Sequence, residues 1–284
     1  MSDIARTLGV FLQGIDEEIW VKRGLIGVTW IFLSVFLILP VILVFRYAFS
    51  LGLAAYLQSF LTRDARSALA LSVFTALIVV PVNAVFGIIM AWAIAKFEFR
   101  GKNILLTLLD VPFAVSPVIA GMMLLLLFGS RGLLGPWLQE TGIRIVFARP
   151  GIVLATLFVT LPFVARELIP LMHAQGTEAE ISSLTLGATG FQTFFRVTLP
   201  GIKWGLLYGV LLSNARSFGE FGAVSVVSGH IRGQTNTIPL HVEILFNDYQ
   251  FAASFAMASL LVFLGLLTLF VKGFAESKEN YREH

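Results

Sequence analysis

Six stretches of this chain run for about 20 residues or more with almost no charge, and that pattern decides most of what the chain can fold into. Gly24 to Phe45 carries no charged side chain, nor does Ser67 to Ala95, which holds Pro81 and Asn83. Asn103 to Gly129 carries one charge, Asp110. Pro150 to Met172 is interrupted late, by Arg166 and Glu167. Trp204 to Ser228 contains Arg216 and Glu220, and Tyr249 to Val271 is again uncharged. About 20 apolar residues in a helix cover the roughly 30 Å of hydrocarbon in a bilayer. The runs are continuous rather than alternating, which argues against a strand barrel. The expectation is an all-α integral membrane protein with about six transmembrane helices. Composition agrees: 57% of residues are hydrophobic and 13% charged, against about 45–50% and about 25% in a soluble domain. A disordered chain and an ordinary soluble enzyme are excluded, and the net charge of +3 is too small and scattered to suggest nucleic acid.

Lysine placement predicts the sidedness. If the N-terminus is cytoplasmic and all six stretches cross, then Lys22, Lys96, Lys102, Lys203, Lys272 and Lys278, which are all the lysines present, fall on the cytoplasmic side. Seven arginines (Arg46, Arg63, Arg66, Arg131, Arg144, Arg149 and Arg232) fall outside, so the lysines carry the N-in, C-in expectation. The chain divides into a cytoplasmic segment 1–23, a membrane domain 24–272 and a cytoplasmic tail 273–284. Within the domain, a long polar cytoplasmic loop spans about 173–203. The first 23 residues are too charged for a secretory signal, so insertion is expected to rely on the first span. Cysteine is absent, and His173, His230, His241 and His284 form no metal-ligand spacing, so no metal site is expected.

Four segments carry the chemistry. The cytoplasmic loop GTEAEISSLTLGATGFQTFFRVTLP runs from Gly176 to Pro200. Residues Glu178 to Leu186 suit a helix, Gly187–Gly190 breaks it, and Phe191, Phe194, Phe195 and Val197 form an apolar surface. Such a surface either lies on lipid or docks a cytosolic partner. In the fifth stretch Arg216 and Glu220 are four apart, so they share a helix face and can pair. They are either a structural lock between helices or part of a polar path, because ionised groups at membrane depth face protein or water. Nearby Gly219 and Gly222 permit close helix approach. In the third stretch, Asp110, Pro112, Ser116 and Pro117 precede Gly121, and the prolines should kink or break the helix. Asp110 either snorkels to the cytoplasmic surface or marks a hinge lining the path. The outward segment after the fifth stretch holds His230, Arg232, Gln234, Thr235, Asn236 and Thr237, donors that are either simply solvated or receive an oxyanion or a delivery protein. The outward loop after the third stretch, rich in Gly and Pro, predicts turns with a short interfacial helix.

These strings resemble the permease subunits of bacterial sulfate/thiosulfate ATP-binding-cassette importers. The cytoplasmic loop is similar to that family's EAA loop: Gly187 and Val197-x-Leu199-Pro200 match its pattern, while Ile181-Ser182-Ser183 stand where Glu-Ala-Ala is usual. Glu178 and Glu180 are the nearest acids, with Glu180 placed to supply the usual contact from one position earlier. Arg216-x-x-Gly219-Glu220-Phe221-Gly222-Ala223, the DxPFxxSPxxAG string from Asp110, the loop from Ser228 to Glu243 and AKFEFRGKN from Ala95 fit the same group, so the resemblance runs from about Gly24 to the end of the sixth stretch.

The resemblance implies a type I importer permease fold in the cell inner (plasma) membrane. It also implies a coupling loop docked on an ATPase subunit, present in two copies, together with a second related permease and an external sulfate-binding protein. No G-x-x-x-x-G-K-[ST] loop exists: Gly101-Lys102 is followed by Asn103, and Lys96 stands where the first Gly belongs. The chain is therefore expected to bind no cofactor and to have no enzymatic activity, with ATP and Mg used by the partner ATPase. The rival readings are an importer of molybdate, tungstate or another oxyanion, a stand-alone secondary carrier or channel, and an inert membrane anchor.

Overall fold

The computed structural model describes residues 19–280, and side chains within 21–273 of these. Residues 1–18 of the expected N-terminal segment and 281–284 of the expected tail lie outside the described residues. Among the described residues the chain is helical throughout, without strands.

Helix α1 (Ile19–Leu33) passes through a π-helical turn (Ser34–Ile38) into α2 (Leu39–Ala48). Beyond Lys22 and Arg23 it is apolar and largely exposed, and toward the end of α2 the Tyr47 and Phe255 rings stack at 5.1 Å. A short α3 (Gly52–Leu61) leads to α4 (Arg63–Lys96), whose first turn is capped by Thr62 accepting from the Ala65 N–H at 3.2 Å. Helices α5 (Lys102–Ala114) and α6 (Pro117–Phe128) follow, then the short α7 (Gly135–Glu140) in the loop where a short helix was expected. Helices α8 (Arg149–Thr160) and α9 (Pro162–Gln175) form one long element. The polar loop folds as α10 (Glu178–Thr185), α11 (Gly190–Thr193), a π-helical turn (Phe194–Thr198) and α12 (Leu199–Gly201). The chain ends with α13 (Lys203–Phe218), α14 (Gly222–Ser228), α15 (Ile238–Asn247) and α16 (Phe251–Asn280).

Among the described residues four helical elements are long and apolar enough to cross a membrane: Val21–Ala48, Arg63–Lys96, Arg149–Gln175 and Phe251–Gly273. The third stretch is not one straight helix. Helices α5 and α6 meet at 108°, and would make a fifth span if counted as one. The break follows from Pro117: the residue before a proline is pushed out of the α region, and Val115 and Ser116 take ψ 131° and 137°. The fifth stretch, expected as one span, is two shorter helices separated at Gly219–Phe221. The sixth stretch runs on as helix beyond Val271 to Asn280, so the expected boundary at 272 is no break in structure.

Among the described residues four apolar clusters hold the bundle, two of them central to it. Leu71, Ala120, Ile152, Val159, Val224 and Leu240 join α4, α6, α8, α14 and α15. Ala91, Val164, Leu168, Met172 and Ile202 join α4 and α9 to the start of α13. Between them lies a polar tie across three helices: buried Asn83 donates to Thr160 Oγ1 at 2.7 Å and to Ser213 Oγ at 3.1 Å.

Candidate functional site

The polar loop is a rigid double turn. Helix α10 ends in a Schellman arrangement: the Gly187 N–H donates to Leu184 O at 3.0 Å and the Ala188 N–H to Ser183 O at 3.1 Å. Gly187 sits at φ +89°, where a Cβ is strained. The next helix opens at once with a capping box between Thr189 and Gln192. Ser183 and Thr193 hydroxyls meet at 3.0 Å and close the two halves on each other. The outer surface is apolar: Ile181, Leu184, Leu186, Phe191 and Phe195 are all exposed, Phe191 by 74% and Leu186 by 89%. Phe191 and Phe195 share a ring contact at 4.6 Å, whereas Phe194 turns inward onto Trp92 at 5.0 Å. Glu178 and Ser182 are exposed, Leu199 is half-buried and Pro200 exposed.

Glu180 is turned away from that surface. Its Oε2 lies 2.9 Å from Lys96 Nζ, and its Oε1 accepts from Thr198 Oγ1 at 2.8 Å. Lys96 also donates to Gly176 O. Both side chains of the ion pair are largely covered, 7% and 16% exposed. The acid expected to reach outward thus ties α10 to the end of α4, and Glu178 is the exposed acid of the loop. Lys96 and Thr198 were not identified from sequence as partners. The one available signal was a lysine closing a span next to a short loop.

The two broken elements press against each other at their breaks. A Cβ added to Gly222 would lie 2.8 Å from Pro117 Cβ, and one added to Gly121 would lie 2.6 Å from Ala223 O. Gly222 therefore makes the close approach read from sequence, while Gly219 faces only its own helix. Pro112 is buried within α5 and Pro117 opens α6. Arg216 Nη2 lies 3.2 Å from Glu220 Oε2, so the expected pair forms, although the helix stops at Phe218 and Glu220 sits in the break rather than on the same helix face. Glu220 Oε1 accepts from the Ala223 N–H at 2.9 Å and so caps α14. Asp110 does not snorkel alone. Arg166 Nε donates to its Oδ1 at 2.8 Å, and the guanidinium lies 5.3 Å from the centre of the Phe113 ring. Sequence reading left Arg166 as an interruption of its span without a partner.

The segment between α14 and the end of α15 is folded in on itself. Arg232 is paired with Asp248 at 2.7 Å, and His230 lies 3.8 Å from Glu243. Thr235 and Asn236, read as presented donors, are buried: Thr235 Oγ1 accepts from the Ile231 N–H at 3.1 Å. The Ile238 N–H donates to Ser72 Oγ at 2.9 Å, drawing the segment onto α4. Burial pushes the His241 imidazole below its ordinary range, and the Arg232 charge adds to this while Asp64 and Asp248 oppose it.

Residues 83–279 match the family model described as "Binding-protein-dependent transport system inner membrane component". The chain is 52% identical to the sulfate transport system permease protein CysW of Escherichia coli (strain K12), over 93% of this chain and 91% of that relative. It is 33% identical to the sulfate transport system permease protein CysT of the same organism, over 86% of this chain and 88% of that relative. Among solved structures, a bacterial ABC transporter involved in the import of the acidic polysaccharide alginate superposes with a TM-score of 0.75 at 17% identity, over 95% of this chain and 98% of that one. That likeness concerns the fold. Four apolar helices long enough to cross a bilayer, two broken elements pressed together, and a match over most of the length to one family make this chain a member of the binding-protein-dependent transport system inner membrane components.

Proposed function

We propose that this chain is the permease subunit of an ATP-driven sulfate/thiosulfate importer, a multi-pass inner membrane protein forming half of the translocation pathway. The observation that carries this is the 52% identity, over 93% of the chain, to a sulfate permease. In this reading six segments cross, with both termini cytoplasmic and the bent α5–α6 and the broken α13–α14 each counted as a crossing. The segment 1–23 and the tail 273–284 are cytoplasmic, and the membrane domain is 24–272. The other half is a second, related permease, for which the likeness to the CysT relative gives the pattern. Two copies of an ATPase hydrolyse ATP with Mg, and an external protein delivers the anion.

The apolar surface of Ile181, Leu184, Leu186, Phe191 and Phe195 is the ATPase-docking face, with Glu178 and Ser182 at its edge. Ser183, Gly187, Leu199 and Pro200 shape it. Closure of the ATPase pair moves this rigid element, and the Lys96–Glu180 tie passes the motion to α4. Alternating access follows if the two states differ in the free energy of these contacts. Asp110, Pro112, Ser116, Pro117, Arg216 and Glu220 lie at or beside the breaks and belong to the pathway or its gate. His230, Arg232, Thr235 and Asn236 shape the outward surface that meets the delivery protein.

Reconstitution into proteoliposomes tests the reading. Sulfate uptake is expected only with the second permease, the ATPase, ATP and loaded delivery protein present, with sulfate preferred over molybdate. Gradient-driven flux through the chain alone would show a self-sufficient carrier instead.

A further inference from the structure

We infer that Arg216 is an oxyanion-handling residue of the pathway, and that Glu220 is a built-in anion that releases it when cargo arrives. The inference rests on the sulfate reading and adds a site to it.

Two arginine–carboxylate pairs lie among the helices, and they are made differently: the Arg166 and Asp110 side chains are 52% and 45% exposed, whereas the Glu220 carboxylate is 1% exposed. Arg166 is closed on its partner: Nε and Nη2 both approach Asp110 Oδ1, at 2.8 and 2.5 Å. Arg216 makes one approach to Glu220, at 3.2 Å, and it is not aligned as a hydrogen bond. Glu220 Oε2 is buried and without a hydrogen-bond partner. The arginine side chain is 40% exposed while the carboxylate side chain is 1% exposed. A purely structural lock in a low-dielectric interior needs its donors and acceptors filled, because each one left open is costly. This pair leaves most of a five-donor guanidinium uncommitted on its open side.

The location suits an anion. Arg216 is 13 residues beyond Lys203, about 20 Å along the helix at 1.5 Å per residue. It sits at the end of α13, just before the chain breaks at Gly219–Phe221, and the following helix packs its first residue against the break of α5–α6. Discontinuous helices are where transporters place their cargo, since irregular backbone at membrane depth survives only in protein or beside water. A guanidinium fork presents two parallel N–H donors to two oxygens of a tetrahedral oxyanion.

Glu220 sets the strength of the site. In the empty state it balances the arginine charge. When an oxyanion takes the fork, Glu220 keeps its Ala223 N–H bond but loses its counter-ion, so the loaded state is held weakly. A pathway needs that, for an anion must leave as readily as it enters.

The test uses the complete importer with loaded delivery protein. The double variant Arg216→Gln, Glu220→Gln removes both charges; the glutamate exchange is nearly isosteric and keeps an oxygen for the Ala223 N–H. It is expected to assemble, with the sulfate ions moved per ATP hydrolysed falling by about tenfold or more, a barrier effect on the transported ion. Arg216→Lys keeps the charge but not the fork, and is expected to lower flux by about three- to tenfold without loss of assembly. A wild-type ratio in the double variant would overturn the inference and leave the pair as packing. Should the double variant fail to assemble, unchanged flux in Arg216→Lys would overturn it equally. A wild-type complex that moves no sulfate would instead overturn the function proposed above, so the two failures are distinguishable.

Discussion

Lys96 Nζ stands 2.9 Å from Glu180 Oε2, and this contact joins the last residue of a long membrane helix to the short helix outside it. Thr198 holds the other carboxylate oxygen, so the loop is pinned from both of its ends. Lys96→Met leaves a mostly covered carboxylate without its cation, a loss of about 1.5–3 kcal/mol for a hydrogen bond to a charged group. The variant complex is expected to hydrolyse ATP with fewer sulfate ions moved per ATP. Measuring both rates in one preparation checks this. The exchanged pair Lys96→Glu, Glu180→Lys should recover part of the lost ratio.

Gly187→Asp places a side chain at φ +89°, with strain of about 1–2 kcal/mol. The Schellman turn loosens and the apolar surface loses its shape. Reduced co-purification of the ATPase is expected, with uptake falling in parallel. Full co-purification and full uptake would show that the turn is dispensable for docking.

Gly222→Val inserts bulk where a Cβ alone would lie 2.8 Å from Pro117 Cβ. Overpacking of this kind costs about 1–3 kcal/mol. A lower thermal midpoint of the detergent-solubilised complex is expected. Gly219→Ala meets no foreign atom closer than its own helix and should change the midpoint far less.

His241 gives α15 and the segment before it a pH response. Its imidazole is held below the ordinary 6.5 by burial, so the folded protein binds fewer protons there than the unfolded chain does. That contribution to stability is complete above pH 6.5 and is lost as the pH falls below it. The thermal midpoint of the wild-type protein should therefore drop on acidification from pH 6.5, and His241→Gln should flatten that slope.

What the chain revealed in advance depended on how local each feature is. Long uncharged runs mark helices because the bilayer demands them. The break before Pro117 follows from the steric restriction proline puts on its neighbour. The Arg216–Glu220 pairing was read from helix spacing, and it forms even though the helix stops at Phe218, before Glu220. The Gly187 turn was legible as a break for the same local reason. Contacts between distant segments were not legible: Asp110 and Arg166 lie in separate helices, and Lys96 reaches Glu180 only because α4 and the loop end at the same level. Thr235 and Asn236 read as presented donors from their polarity. The Ile231 N–H, donating to Thr235 Oγ1, and the Ile238 N–H, donating to Ser72 Oγ on α4, turn the segment inward instead. The fifth stretch looked continuous because Gly219 and Glu220 carry no proline to announce the interruption.

Because the two interrupted elements touch at Gly222 and Pro117, neither joint can swing freely while the other stays still. If these joints form the proposed gate, the two would turn as one, because turning one alone would drive the Gly222 and Pro117 atoms into each other. Such coupling would leave a passage committed to one side or closed, with no half-open gap through which protons and water could dissipate an ion gradient.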